Sequence, residues 1–440
     1  MSEITRKELS RSLHDLLTGD EDARVCKDIP ESACHDEPRN FFAYLIANLL
    51  GKIADEIASA RLILPWLLAS LGAPAAFTGF LVPIREAGVL LPQLVVAAVI
   101  RRMAIRKSVW LLGAGLSGIA LALMAVVTGT LSGTTAGWAI LGLLILFSLA
   151  RGLCSVSAKD VLGKTVSKGR RGTLMGWSAG IASLAVLGIG IYVEWFSGGT
   201  PLAVLAWLLV GGALLWFIAI GFFAAIREQP GATEGGGNAL TVALQSFGRL
   251  KSDPLFRDFV IGRALLLSVA LAPPFYVLLA QQNTAEGLVG LGVLIIASGI
   301  AGSLSSPFWG RLSDYSSRWV MVIAALATGA QGILLYGLVE AGSPWISSPW
   351  LYAALFLTLS VFHGGVRLGR KVYLVDMATA DTRAIYVALS NTLIGIAMLA
   401  GGLIGVLADV LDLQTVILLL AFLSLLAAIW ALGLPEVTRE

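Results

Sequence analysis

The sequence predicts an all-α membrane protein whose twelve transmembrane helices form two parallel six-helix halves, and three observations predict it. Apolar residues make up 57% of the 440 and charged residues 13%, with a mean hydropathy of +0.83, far from the balance of a water-soluble domain. The apolar residues fall in twelve stretches of about 20 residues or more, each long enough to cross a hydrocarbon core of roughly 30 Å as a helix. A displacement of 212 residues, which carries Arg106 to Arg318 and Arg171 to Arg383, lays the second half of the chain on the first without inversion.

The twelve stretches are 41–71, 75–100, 108–130, 136–157, 172–195 and 201–226 in the first half, then 259–281, 287–309, 319–340, 349–375, 383–408 and 412–433 in the second. The first 40 residues carry ten acidic and six basic side chains and no apolar core. Residues 1–39 therefore read as a cytoplasmic tail and not as a cleaved signal peptide. Bundles at 40–226 and 259–433 are expected, joined by a cytoplasmic linker at 227–258 and followed by a short cytoplasmic tail at 434–440. Pro230, Gly231 and Gly235-Gly236-Gly237 make the linker resist regular structure. Within it, 239–250 has apolar residues at helical spacing, which suits either a helix on the membrane surface or an ordered loop.

Lys and Arg set the orientation. They cluster in the turns after segments two, four, eight and ten, for example Arg101, Arg102, Arg106 and Lys107, or Lys164, Arg170 and Arg171. The turns after the odd-numbered segments contain none, so both termini are expected in the cytoplasm. This bias accounts for the net charge of +3, and nucleic acid is not an expected partner.

The turn from Trp309 to Trp319 has the pattern G-x-L-x-D-x-x-x-R, with Gly310 free to admit a neighbouring helix and Asp314 placed to meet Arg318 if the helix continues. Its first-half counterpart has Ala98 and Arg102 where the second half has Gly and Asp, and keeps Arg106. With two parallel six-helix repeats, a central linker and cytoplasmic termini, this turn resembles that of the major facilitator superfamily over 40–433. Tyr315 and Ser317 depart from the family pattern. The resemblance implies a monomeric, bacterial-type 12-helix permease of the inner membrane, working by alternating access around a cavity lined by helices one, four, seven and ten. It implies gating by Gly310, Asp314, Arg318 and Arg106, and no enzymatic activity.

Ionisable residues inside the predicted spans are the best pointers to a site, because each costs roughly 2.5 to 3.5 kcal/mol to insert at the bilayer centre. Lys52, Asp55 and Glu56 share one arc of the first helix and Arg61 points away from it. Arg85 and Glu86, adjacent in the second helix between Pro83 and Pro92, must pair with other helices, and Arg61 with Glu86 is the expected pair. Asp55, Glu56 and Glu86 are the candidates for proton coupling, with an internal pair of Lys52 and a carboxylate as the alternative. The displacement lays Arg151 on His363, one turn from Arg367, and Arg370 and Lys371 continue the basic stripe. Arg61, Arg151, His363 and Arg367 are thus expected to contact substrate, and guanidinium groups favour carboxylate or phosphate.

Arg263 lies near the inner end of segment seven, and Pro273-Pro274 is expected to break its outer half as a gate. Tyr276 and Asn391 are expected to pack. The fifth segment has Gly188-Ile189-Gly190 where drug-proton antiporters have a Gly-Pro pair, so the motifs do not support a multidrug exporter. No phosphate-binding loop appears, so no cofactor is expected and an ion gradient supplies the energy. Cys26, Cys34, His14 and His35 lie in the tail at a spacing that is not a zinc pattern. They read as a docking segment, with metal or redox sensing the alternative, and no metal is expected. Cys154 is expected to pack.

The expected function is secondary active transport of a small organic solute, preferably an anion, coupled to a proton or another ion, with the substrate, that ion and the lipid bilayer as partners. Export of amphiphilic or drug-like compounds, and a non-transporting membrane sensor or receptor using the Cys/His tail, stay open as alternatives.

Overall fold

The computed structural model describes residues 35–91, 96, 99–100, 102–195, 200–231, 248–284, 288–379 and 382–437. His14, Cys26 and Cys34 lie outside them, as does most of the 239–250 stretch. The described residues contain ten helices long and apolar enough to cross a membrane. All of these follow residue 106, and the first two predicted spans appear in other forms.

The first predicted span is interrupted. Helix α1 (Glu37–Ile57) stops, and α2 (Ile63–Ser70) resumes after a five-residue break. Pro65 accounts for the break: it has no N–H to offer the Arg61 carbonyl, and its ring is tolerated only in the first turn of a new helix. The second span is α3 (Ala75–Leu90), with Pro83 inside it. The first half is completed by α4 (Lys107–Thr130), α5 (Gly133–Thr165), α6 (Lys168–Trp195) and α7 (Pro201–Ala224).

In the second half, α8 (Pro254–Leu265) and α9 (Leu267–Asn283) together make one crossing. Here the expected break at Pro273-Pro274 is corrected. Both prolines lie inside α9, whose side chains are buried from Leu267 to Ala280, and the discontinuity falls at Leu266. Neighbours on every side hold the proline turns in line. The remaining crossings are α10 (Leu288–Tyr315), α11 (Ser317–Glu340), α12 (Pro349–Met377), α13 (Arg383–Gly401) with α14 (Ile404–Val410), and α15 (Leu413–Leu432). The pair Gly401-Gly402 marks the α13–α14 kink.

The pairings repeat between the halves. Helix α4 packs on α7 as α11 packs on α15, and α3 packs on α5 as α10 packs on α12. The halves meet where α6 lies against α10 and where α3 lies against α13 and α14. Both interfaces rest on glycine. A Cβ on Gly79 would sit 2.3 Å from the Gly405 Cα, and one on Gly190 would sit 2.7 Å from the Ile296 nitrogen. Backbone thus meets backbone, as in membrane helices that associate through small residues.

With direction reversing at each crossing, residues 37 and 437 emerge at one end of the bundle, the terminal end. There each half ties in the residues that follow its last helix. Glu228 accepts from the Arg106 and Lys107 backbone N–H groups at 2.9 and 2.7 Å and from Lys164 Nζ at 3.0 Å. Arg318 Nη1 donates to the Leu434 carbonyl at 2.9 Å and its Nε lies 3.6 Å from Glu436. At the far end the contacts cross between halves. The Asp409 carboxylate accepts from the first N–H groups of α3, Ala75 at 2.7 Å and Ala76 at 3.1 Å, and Gln281 donates to Ser70 at 3.0 Å. A carboxylate at a helix N-terminus satisfies otherwise orphaned donors.

Candidate functional site

A cavity of about 380 Å³ lies at mid-depth between the halves, enclosed by the break after α1, by α3, and by α10 and α12. Its charged lining comes from Asp55, Glu56, Arg61, Arg85, Glu86 and Arg367, with His363 beside them. Six of these seven were predicted as site residues, and Arg85 was expected only to pair with another helix.

The helix break positions Arg61. Freed from helical geometry, its guanidinium gives Nη2 to Glu86 Oε1 at 3.0 Å and lies 3.2 Å through Nη1 from His363 Nδ1. The predicted Arg61–Glu86 pair therefore forms, and a single side chain bridges the two halves through His363. Asp55 is held by two cations: Arg85 Nη2 at 3.3 Å on one oxygen, and Arg151 through Nη2 at 2.7 Å and Nε at 3.1 Å on the other. Arg85 stands over the Phe147 ring and Arg151 over the Trp216 ring.

Three expectations are corrected here. Arg151 does not line the cavity. Its guanidinium lies 4.5 Å from the Trp216 ring centroid and bonds the Asp55 carboxylate from behind the lining. Lys52 makes no ion pair with Asp55 or Glu56 among the described residues, because the two arginines occupy Asp55. In the turn at Gly310, Asp314 is exposed and unpaired among the described residues while Arg318 turns to Glu436. A Cβ on Gly310 would meet nothing within 4 Å, so this glycine is not required for close approach. The chain reverses instead through Ser316, whose Oγ accepts from the Trp319 N–H at 3.1 Å to start α11. In the first half, Arg106 pairs with Asp160 of α5.

Two lining charges are left. Glu56 and Arg367 are exposed to the cavity and neither has a bonded partner among the described residues. Behind the lining stand further cations, Lys52 and Arg370 along with Arg151. Six bases and three acids thus surround this space. Among the described residues, no group of three or more His, Cys, Asp or Glu side chains is placed to hold a metal ion. Cys154 is buried, with Sγ 3.5 Å from the Trp110 carbonyl, and Tyr276 is buried against Gly332.

The pairing makes a stability prediction. Asp55→Asn leaves both Arg85 and Arg151 without a counter-charge, whereas Arg151→Met leaves the Asp55–Arg85 pair intact. Thermal unfolding of the purified protein should show Asp55→Asn to be the more damaging, by about 3 kcal/mol, the usual cost of stripping a partner from a buried pair.

Comparisons with known proteins agree with this architecture. The family model described as Major Facilitator Superfamily matches residues 264–440. The staphyloferrin B transporter of Staphylococcus aureus is 27% identical over 184 residues, which is 41% of this chain and 42% of that transporter, so the match spans less than half the length of that relative. Among solved structures, the nucleoside transporter NupG superposes with a TM-score of 0.71 at 16% identity, covering 90% of this chain and 99% of its own. A POT family transporter in complex with a thioalcohol conjugated peptide gives 0.70 at 12%, covering 92% and 98%. A D-xylose-proton symporter gives 0.66 at 14%, covering 90% and 97%. At these identities the likeness to the solved structures is one of fold.

Proposed function

We propose that this chain is a membrane transporter of the major facilitator superfamily, whose model matches residues 264–440, and that it moves an anionic organic solute by alternating access, in symport with protons. The observation that carries the anionic reading is Arg367, which is exposed to the cavity and has no bonded partner among the described residues, in a lining of three arginines and three carboxylates with Lys52, Arg151 and Arg370 behind it. An unpaired guanidinium in a low-dielectric space favours a bound carboxylate or phosphate.

Glu56 is the proton carrier in this reading. Asp55 and Glu86 would have to surrender arginine partners to take up a proton, and Glu56 would not. The terminal end is the cytoplasmic one, following the Lys and Arg bias. The conformer has its far end closed through Asp409, Gln281 and the Gly79–Gly405 crossing, which in this reading is the side away from the cytoplasm.

The test is binding and flux with a panel of organic acids in proteoliposomes. Arg367→Gln should weaken binding of an anionic hit at least tenfold, or about 1.4 kcal/mol, with the fold intact. Transport of neutral or cationic solutes that is indifferent to Arg367→Gln would overturn the anionic reading.

A further inference from the structure

The two walls of the cavity differ in kind. Asp55, Glu56, Arg61, Arg85 and Glu86 all come from the first half. The second half contributes Arg367 and His363 and is otherwise neutral, with Ser298 and Ser305 of α10 and Ser360 of α12 in its lining. Ser360, His363 and Arg367 follow one another at three- and four-residue steps, so they stand on one face of α12, spread over about 10 Å of helix axis. A serine inside a helix commonly returns its hydroxyl to a carbonyl one turn back. Ser117, Ser157 and Ser424, buried away from the cavity, do so at 2.8, 2.7 and 2.9 Å. Ser305 gives its hydroxyl to the Val361 carbonyl at 3.3 Å, in a crossing so tight that a Cβ on Gly364 would collide with the Ser305 oxygen. Ser298 and Ser360 do neither. Both are half-buried, line the cavity and have no hydrogen-bond partner among the described residues. His363 adds a donor: a guanidinium can only donate, so Arg61 makes His363 Nδ1 an acceptor, and an imidazole accepting there carries its proton on Nε2.

Polar groups in an enclosed space need a partner, from water or from a ligand. A serine hydroxyl both donates and accepts, and so does a hydroxyl group on a solute, which makes the two mutual partners. We propose that Ser298, Ser360 and the Nε2–H of His363 read hydroxyl groups on the substrate. The substrate class is then a hydroxylated organic acid, its carboxylate held at Arg367 and its hydroxyl-bearing carbons extending along α12 toward the far end. Ser298 and Ser360 determine specificity. Water meets their hydroxyls while no solute is bound, and an acid without hydroxyl groups displaces that water and leaves them unpaired. Rejection of the wrong solute comes from that cost, as in other sites built to bond a substrate hydroxyl. This inference rests on the anionic reading of the cavity and narrows it.

The experiment uses the purified full chain and two matched pairs of probes, gluconate with hexanoate and citrate with tricarballylate, the members of each pair differing only in hydroxyl groups. Glucose is the neutral control. Affinities are read from thermal stabilisation, since a ligand of the folded form raises its melting point. Wild type is expected to bind the hydroxylated member of at least one pair tenfold or more tightly than its partner. Ser298→Ala and Ser360→Ala each delete one oxygen that bonds to nothing in the fold. Each should weaken the hydroxylated acid threefold or more, and the double variant tenfold or more, with the partner acid unchanged. Equal affinities within both pairs, a preference that survives the double variant, or equal losses for both members of a pair would overturn the proposal. So would the absence of stabilisation by all five probes. If Arg367→Gln weakens both members of a pair alike while the serine variants change neither, the anionic reading stands and the hydroxyl wall fails. If glucose binds as tightly as gluconate, in a manner dependent on the serines and indifferent to Arg367→Gln, the wall stands and the anionic reading fails.

Discussion

Glu56→Gln is expected to abolish substrate accumulation driven by a pH gradient while leaving exchange of labelled for unlabelled substrate in place. Its carboxylate faces the cavity and no partner holds it among the described residues, whereas Asp55 is clamped by Arg85 and Arg151 and Glu86 by Arg61. Neutralising Glu56 removes one negative charge from the space the anion enters. At a separation of about 6 Å and an effective dielectric of about 20, that is worth roughly 3 kcal/mol to the bound anion. Proton and anion therefore bind cooperatively, each raising the affinity of the other by about a hundredfold. The sign follows: anion affinity rises as pH falls through the titration of Glu56, and the Gln variant should bind with the low-pH affinity at every pH. Undiminished accumulation by Glu56→Gln under a pH gradient would remove this residue from the coupling.

Gly79→Val is expected to pry open the far end. A Cβ at Gly79 would stand 2.3 Å from the Gly405 Cα, 2.5 Å from its nitrogen and 2.8 Å from the Gly402 carbonyl oxygen. These are backbone atoms that no rotamer change can move aside, so the two halves must separate there. Overpacking of this kind costs about 1 to 3 kcal/mol, and that cost falls only on the conformer closed at the far end. The population open at that end should rise ten- to a hundredfold. A cysteine at Ser360, which lines the cavity, would report it through faster labelling by a membrane-impermeant maleimide added from the far side. An unchanged labelling rate would mean that the crossing does not control access.

How much of this could be read from the sequence depends on whether a residue carries a charge. The Arg61–Glu86 pair follows from angular reasoning on two helices, since buried opposite charges must find each other. The resemblance also led to Arg367 and His363, because the 212-residue displacement carries helix four onto helix ten. It misled on Arg151, since whether an arginine faces a cavity or a tryptophan behind it is decided by Trp216, 65 positions later in the chain. Arg318 was assigned to Asp314, four residues away, yet its partner is Glu436, at a distance in sequence that no local periodicity reveals. Pro65 was a usable and overlooked signal for the broken first helix. Gly79 and Gly405 were invisible for a different reason: a glycine in an apolar run looks the same whether its missing side chain is needed or idle, as Gly310 shows.

The bonds at Glu228 and Arg318 have a mechanical consequence. Because each half fastens the residues after its sixth crossing to its own third and fourth crossings, the chain leaves each bundle from a point that moves with that bundle. The two halves touch at the glycine crossings and at the Arg61–His363 bridge, so a tilt of one half on the other would pivot there.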